Sequence, residues 1–202
     1  MDLHLNVPVR CTDGDGGQTT RLVVNPLTRV VTDIVVRGPG RFDPERLVPV
    51  ESVSTSTPEA VALRLTRKEL RSLQRFFTDE FVDLPQPVAE TSWGNAVYWP
   101  YVAPTRETLD LPHPTIPLDE LAMRRGDRAE ATDGLVGHVD GFLVDPATEA
   151  ITGLILRQGH FWGQHDVTLP VKLIASIDSG VVRLSADKAA IAAELVAPAG
   201  VQ

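Results

Sequence analysis

The chain has 202 residues, of which 43% are hydrophobic and 23% are charged, and its net charge is −8. The composition is that of a globular protein with one large domain or two small ones. The acidic balance argues against a protein that coats DNA or anionic lipid, because phosphate binding needs a basic footprint. The single cysteine, Cys11, excludes an intrachain disulfide and a thiolate metal cage.

The charges are distributed unevenly along the chain. Residues 1–75 carry 11 Lys or Arg and 9 Asp or Glu, residues 76–127 carry 3 and 9, and residues 128–202 carry 5 and 9. Only the first third can therefore offer a basic surface. The N-terminus lacks a basic segment followed by a long apolar run, and no stretch approaches about 18 apolar residues. We therefore expect a cytoplasmic protein without membrane insertion.

An internal repeat organises the chain. Residues 12–37 and 132–157 align at a constant offset of 120. Pro49 then matches Pro170, and residues 63–66 match residues 182–185 at an offset of 119, so each copy is a domain of about 75 residues. The identical positions are Thr12/Thr132, Asp13/Asp133, Gly14/Gly134, Gly17/Gly137, Val24/Val144, Pro26/Pro146, Thr28/Thr148, Thr32/Thr152 and Arg37/Arg157.

Each copy is predicted to be a small β-barrel closed by a short helix. Glycines mark a tight turn after the first strand, and Asn or Asp followed by Pro is typical of a type I turn. β-Branched and aliphatic residues favour strands between these turns. Strands are predicted at residues 7–11, 22–24, 30–36, 48–50 and 62–65 of the first copy and at 129–131 and 150–156 of the second.

A helix is predicted to follow the last strand of each copy. In the first copy, Thr66 and Glu69 have the spacing of a capping box. In the second, Ser185 is expected to cap the helix. The apolar residues at helical spacing are Leu70, Leu73, Phe76 and Phe77 in the first copy and Ile191 and Leu195 in the second.

The middle of the chain, residues 78–127, has a different composition. It holds 7 of the 16 prolines, both tyrosines and two of the three tryptophans. A free linker would not keep so many aromatic residues. We therefore expect an extended connector that packs on both barrels and buries Trp93, Tyr98 and Trp99. The predicted domains are thus 1–77, 78–127 and 128–202.

The motifs of the repeat resemble those of the PRC-barrel family. They comprise the Asp133, Gly134 and Gly137 turn, the Val-Asp-Pro-x-Thr turn at 144–148, and the strands at 151–157 and 169–171. The family includes the cytoplasmic barrel of the photosynthetic reaction-centre H subunit and the C-terminal barrel of a ribosome maturation factor. The resemblance implies two tandem barrels that dock on other macromolecules and share no catalytic residues. Unlike the maturation factor, this chain repeats the barrel in its first half.

Two groups of side chains are candidates for a contact site. Phe161 and Trp162 lie in a predicted hairpin between His160 and His165, where they either pack on the barrel or, if exposed, mark a binding hot spot. His160, His165 and Asp166 could lie near one another across this hairpin, but a zinc site needs three or four ligands and the sequence does not place the next candidate, His138, so a packing hairpin is favoured. Arg67, Arg71 and Arg75 recur every four residues and are predicted to share one helix face, which is either solvated or able to grip RNA or an acidic partner.

Two further motifs are interpreted as structural. The segment from Asp13 to Gly17 resembles a calcium loop but lacks the remaining oxygen ligands and the closing Glu, so a plain turn is expected. Cys11 aligns with Ala131, a small residue, and is therefore expected in the core rather than as a nucleophile.

These observations favour a non-enzymatic binding or scaffold protein that acts through protein–protein contacts of its barrels. Catalytic residues, metal and cofactor are all predicted to be none. The expected partner is another protein, nucleic acid is disfavoured, and a homo-oligomer is compatible with the sequence. One alternative is an RNA- or ribosome-associated assembly factor, and a second is an enzyme with an unrecognised site. The candidate contact residues are Phe161, Trp162, Arg67, Arg71 and Arg75.

Overall fold

The computed structural model describes residues 1–83, 108–158 and 165–196. The predicted burial of Trp93, Tyr98 and Trp99 lies outside these residues, as do Phe161 and Trp162. Contacts divide the chain into two compact units. One comprises Met1–Phe76 together with Ile116–Gln202, and the other is Phe77–Thr115. The first unit therefore contains both copies of the repeat.

The fold is mainly β, as predicted. The elements up to the first helix are β1 (Asp2–His4), β2 (Pro8–Cys11), β3 (Gly14–Asn25), β4 (Val30–Arg37), β5 (Glu45–Pro49), β6 (Val53–Ser56), β7 (Val61–Leu63) and α1 (Arg67–Ser72). The smaller unit contains a hairpin of β8 (Phe77–Asp83) and β9 (Thr108–Pro114). The remaining elements are β10 (Leu121–Arg124), β11 (Arg128–Ala131), β12 (Gly134–Val144), β13 (Ile151–Gln158), β14 (His165–Pro170), β15 (Ile174–Asp178), β16 (Val181–Leu184) and α2 (Lys188–Val196).

The two copies form curled sheets with the same strand order. The first sheet runs β5-β4-β3-β2-β7-β6, and the second runs β14-β13-β12-β11-β16-β15. In both sheets one pair is parallel, β2 with β7 and β11 with β16, and the other neighbours are antiparallel. The predicted repeat is thus confirmed at the level of topology. Within the described residues the outer strands of each sheet are not paired with one another, so the architecture described is two curled sheets.

The turn between β3 and β4 has the predicted chemistry. The side chain of Asn25 accepts hydrogen bonds from the amides of Leu27 and Thr28, each at 3.1 Å. In the second copy, Asp145 accepts from the amide of Ala147 at 2.9 Å. By accepting hydrogen bonds from backbone amides two or three residues further along the chain, these side chains stabilise the turn.

The predicted offset of 119 near the end of each copy is wrong. Val53 pairs with Leu63 in the first sheet, and Ile174 pairs with Leu184 in the second, which gives an offset of 121. The second copy has one more residue in its β13–β14 connection than the first has between β4 and β5. The alignment failed because side chains alternate along a strand with period two, so a shift of two residues keeps the same apolar pattern.

The two helix caps agree with the prediction in one copy only. Thr66 and Glu69 form the expected capping box. In the second copy the cap is Asp187, whose carboxylate accepts a hydrogen bond from the amide of Ala190 at 2.7 Å. Ser185 instead donates its hydroxyl to the carbonyl of Leu173 at 3.3 Å. Ser185 lies two residues too early because it was placed by the shifted alignment.

The first helix is shorter than its apolar spacing predicted. It ends at Ser72, and the chain then runs along β5: the amide of Leu47 donates to Gln74 O and the amide of Phe76 donates to Glu45 O, both at 2.9 Å. This segment covers the edge of the first sheet, whose free backbone groups require partners. Arg75 therefore lies opposite Arg46 rather than on the helix, which corrects the predicted three-arginine face.

Two short strands are exchanged between the copies. β1, which precedes the first copy, pairs with β12 of the second sheet, with Leu3 opposite Phe142. β10, which precedes the second copy, pairs with β3 of the first sheet, with Met123 opposite Leu22. These two pairings are equivalent under the offset of 120. Each sheet is thus completed by the strand that leads into the other copy.

The copies also meet through reciprocal backbone bonds. The amide of Val31 donates to Glu149 O at 3.0 Å, and the equivalent amide of Ile151 donates to Arg29 O at 2.8 Å. Val30 and Ala150, which are equivalent to each other, form an antiparallel bridge between these bonds. The pattern is that of a local two-fold axis relating the copies within one chain.

One hydrophobic cluster runs through both copies. It includes side chains from both sheets and from both exchanged strands. Leu3 is 1% exposed and Met123 is fully buried. Because burial of apolar surface is the main favourable contribution to folding, the exchanged strands bind the copies into one core.

The second sheet contains a buried charged cluster. Asp140 of β12 is 3% exposed, and its Oδ2 lies 3.4 Å from Nδ1 of His4 on the exchanged strand β1. Its Oδ1 accepts from Arg125 Nε at 2.7 Å and lies 2.9 Å from Arg157 Nη2. Burial alone would raise the pKa of Asp140, but these hydrogen bonds and positive charges hold that pKa below its usual value. The equivalent of Asp140 in the first sheet is Thr20.

The exchanged strand can be tested by truncating its buried leucine. We expect Leu3→Ala to lower the free energy of unfolding by about 2–4 kcal/mol, since it leaves a cavity in the shared core. Amide exchange should accelerate at residues 141–143 of β12, in the opposite copy. Denaturant unfolding and hydrogen exchange measure these effects. Leu27→Ala, at an 86% exposed position, is the matched control and should change stability by less than about 0.5 kcal/mol. Equal effects of the two variants would contradict the exchange.

The charged cluster predicts a pH dependence. The folded-state pKa of Asp140 is lowered, so the ionised carboxylate stabilises the fold above about pH 4. This contribution is lost as the pH falls through the folded-state pKa of Asp140. We expect Asp140→Asn to destabilise the protein at pH 7 by roughly 2–4 kcal/mol. The difference from wild type should shrink in acid.

The matched control for this experiment is Asp166→Asn. Asp166 also lies beside Arg157, at 3.3 Å, but its side chain is 46% exposed. An exposed ion pair contributes little, so a change below about 1 kcal/mol is expected. Denaturant unfolding of both variants at several pH values measures these effects. A pH-independent effect of Asp140→Asn would contradict stabilisation by the ionised Asp140 carboxylate.

Candidate functional site

A cavity of about 190 Å³ opens on the first copy. Its walls come from the turn after β2, the loop at residues 38–44, the start of β5, and α1. The lining residues are Asp15, Gly16, Val36, Gly38, Pro39, Asp43, Pro44, Arg46, Arg67, Leu70 and Arg71. Two of the arginines predicted as contact residues, Arg67 and Arg71, are therefore brought together here.

The cavity combines an apolar floor with cationic walls. Val36 and Leu70 are buried, at 0% and 5% exposure, and two prolines extend this apolar surface. Arg46 is held in place because its Nη1 donates to the carbonyl of Leu73 at 2.7 Å. Arg71 is exposed and has no carboxylate partner in the part of the chain that the structure describes.

The shared aspartate of the turn anchors the helix beside this cavity. The Oδ1 of Asp13 accepts from the backbone amide of Arg67 at 2.7 Å, and its Oδ2 lies 3.5 Å from Arg67 Nε. These contacts hold the pKa of Asp13 below its usual value. In the second copy Asp133 accepts from the amide of Lys188 at 3.0 Å. The aspartate common to both copies thus satisfies a free amide at a helix start.

The other two aspartates at the cavity shape its loops. Asp15 accepts a hydrogen bond from the amide of Gly17, and Asp43 accepts one from the amide of Gly40, both at 2.9 Å. Gly17 has φ of +110°, and a Cβ there would lie 1.9 Å from the carbonyl oxygen of Arg37. Only glycine therefore allows this turn to rest against the end of β4.

The surroundings of the cavity are rich in arginine. Arg10 lines one adjoining cleft, and Arg37 and Arg41 line another. The guanidinium carbon of Arg41 lies 5.7 Å from the ring centre of Phe42, which is 90% exposed. We call this surface the basic face; it comprises Arg10, Arg37, Arg41, Arg46, Arg67 and Arg71 together with Phe42.

Among the described residues, the second copy repeats only part of the basic face. Strand register places Glu130 where the first copy has Arg10, Leu135 where it has Asp15, and Val167 where it has Arg46. The offset of 121 at the helices places Ala192 at the position of Arg71. Arg37 and Arg157 do correspond, and both lie beside carboxylates. The offset of 121 also places Lys188 at the position of Arg67. The copies therefore share a cation at the positions of Arg37 and Arg67 but not at those of Arg10, Arg46 and Arg71.

The structure also places Arg75 and Cys11. Arg75 does not line the cavity. Cys11 is buried, as predicted, and burial raises the pKa of its thiol. Among the described residues no group of three His, Cys, Asp or Glu side chains is arranged to hold a metal.

Sequence reasoning missed Arg46 and Phe42. The signal available was the segment GPGRFDP at residues 38–44, whose glycines and prolines indicate a loop that displays an aromatic residue.

No protein-family model matches the chain, and no curated protein matches it. Neither helix in the described part of the chain is long and apolar enough to span a membrane.

Proposed function

We propose that this chain is a non-enzymatic binding protein that docks on another protein through its basic face. The observation that carries the proposal is the cavity walled by Arg46, Arg67 and Arg71, because two of these cations, Arg46 and Arg71, are replaced by Val167 and Ala192 in the second copy. Two copies that share one topology should differ least in sequence at the positions whose residues the fold requires. The charges of Arg46 and Arg71 are thus a feature that the fold does not need.

The composition of the basic face suits a protein partner. Arginine and aromatic residues are enriched at the centres of protein interfaces, where they contribute most of the binding energy. Phe42, at 90% exposure, presents a large apolar surface beside Arg41. Burial of this ring would remove roughly 150–250 Å² from water.

RNA is a weaker candidate for the same surface. A polyanion requires a continuous track of positive charge. Here Asp13, Asp15 and Asp43 alternate with the arginines, and the whole chain carries −8. An RNA- or ribosome-associated role is therefore retained only as an outcome of the experiment below.

The PRC-barrel resemblance also belongs to the proposal. The support for it is the shared strand order of the two sheets and the turn chemistry at Asn25 and Asp145. The same resemblance implies docking rather than catalysis. The buried polar residues His4 and Asp140 fit this view, because they contact each other where the copies meet.

Photo-cross-linking tests the docking face. We expect a photoreactive phenylalanine analogue at position 42, introduced into the full chain in its native cell, to capture a protein. The adduct should resist ribonuclease and disappear when Arg67→Glu and Arg71→Glu are added. The matched control carries the analogue at Leu27, which is 86% exposed and outside the cavity. An adduct with RNA, equal capture at both positions, or no adduct at position 42 would contradict the proposal.

A further inference from the structure

We propose that the cavity beside α1 binds a short acidic segment of the partner protein that carries one apolar side chain. The apolar side chain enters the cavity, and the neighbouring carboxylates bind Arg67 and Arg71. This inference rests on the proposed docking function and specifies the chemistry that the basic face recognises.

The size of the cavity sets the size of the anchor. Its volume is about 190 Å³. An apolar protein cavity of about 150 Å³ accepts a group as large as benzene. One aliphatic or aromatic side chain therefore fits, whereas a helix or a folded loop does not. The partner must accordingly present the anchor on an extended or exposed segment.

The floor of the cavity requires an apolar group. Val36 and Leu70 lie beneath the cavity and are already buried, so the apolar surface that a ligand can cover comes mainly from the exposed Pro39 and Pro44 of the loop at residues 38–44. A small inorganic anion would leave this surface in contact with water and gain nothing from it. An aliphatic side chain instead buries apolar area on both molecules, which is favourable in proportion to the area removed from water.

The charges on the two sides of the cavity determine where the acidic groups lie. Arg67 and Arg71 belong to α1, and Arg67 already lies 3.5 Å from Asp13, whereas Asp15 and Asp43 belong to the turn and to the loop at residues 38–44. Guanidinium groups bind carboxylates with two parallel hydrogen bonds, so the helix side favours an acidic chain. A carboxylate placed on the loop side would meet like charge. The segment is thus expected to run along α1 with its anchor between the two sides.

The remainder of the basic face extends this complementarity. Arg37 and Arg41 line the adjoining cleft at the other end of the loop. They increase the positive potential without entering the cavity. Such rim charges act mainly on the rate of association and on its salt dependence. Binding should therefore weaken as salt increases, while the preference for an apolar anchor should persist.

A peptide titration followed by NMR tests the inference. The probe is a nine-residue peptide of serine and glycine with a central leucine and two aspartates on one side of it, blocked at both ends. Added at low salt to the ¹⁵N-labelled full chain, it should shift the amides of Gly16, Gly38 and Arg71. A peptide with a central glycine should bind roughly five- to tenfold more weakly, since an anchor residue contributes more than about 1 kcal/mol. The Arg67→Gln, Arg71→Gln variant should lose a similar factor.

The controls separate the cavity from general attraction of charge. Arg64→Gln changes an exposed arginine outside the cavity and should leave peptide affinity within about twofold of wild type. A lysine version of the peptide should not bind. Equal affinity for the leucine and glycine peptides, equal effects of the arginine variants, or identical shifts with inorganic phosphate would each overturn the inference.

The two proposals can fail separately. If position 42 cross-links a protein but the leucine peptide does not bind in the cavity, the docking face stands and the acidic anchor is wrong. If neither result is obtained, both are wrong.

Discussion

The exchange of β1 and β10 is the constraint on which the rest of the structure depends. β1 has three residues and β10 has four. β1 leads into the first copy but completes the sheet of the second, and β10 leads into the second copy but completes the sheet of the first. The reciprocal bonds at Val31 and Ile151 close the same interface. Neither copy can therefore lose its fold without exposing core side chains of the other. Small β-domains are marginal alone, and sharing a core increases the apolar surface that each buries.

The duplication also explains how the cavity acquires cationic side chains without loss of the fold. Residues that both copies share, such as Asp13 and Asp133, tie a turn to the start of a helix. Arg46 and Arg71 have aliphatic counterparts in the second copy, so their charges are not needed for folding. The cavity thus forms where α1, a turn and a loop already meet, with cationic side chains added to an existing framework.

The sequence predicts local and repeated features well and long-range ones poorly. The capping box at Thr66 was predictable because a short motif specifies it. The equivalence of the two copies was predictable because a 26-residue alignment relates them. β1 was missed because so short a strand has no periodicity and its partner lies about 140 residues away. Arg75 was misplaced because hydrogen bonds to the edge of β5 override the helical spacing. The cavity depends on loop packing that spacing cannot reveal.

Cleavage of the chain between the copies tests the shared core most directly. A protease site inserted among residues 84–107 allows the backbone to be cut after folding. The two fragments are expected to elute together on size-exclusion chromatography at the mass of the intact 22.0 kDa chain and to unfold in one transition. Separation of the two fragments should require denaturant. Fragments that separate under native conditions, with either one still folded, would contradict the reciprocal exchange of strands.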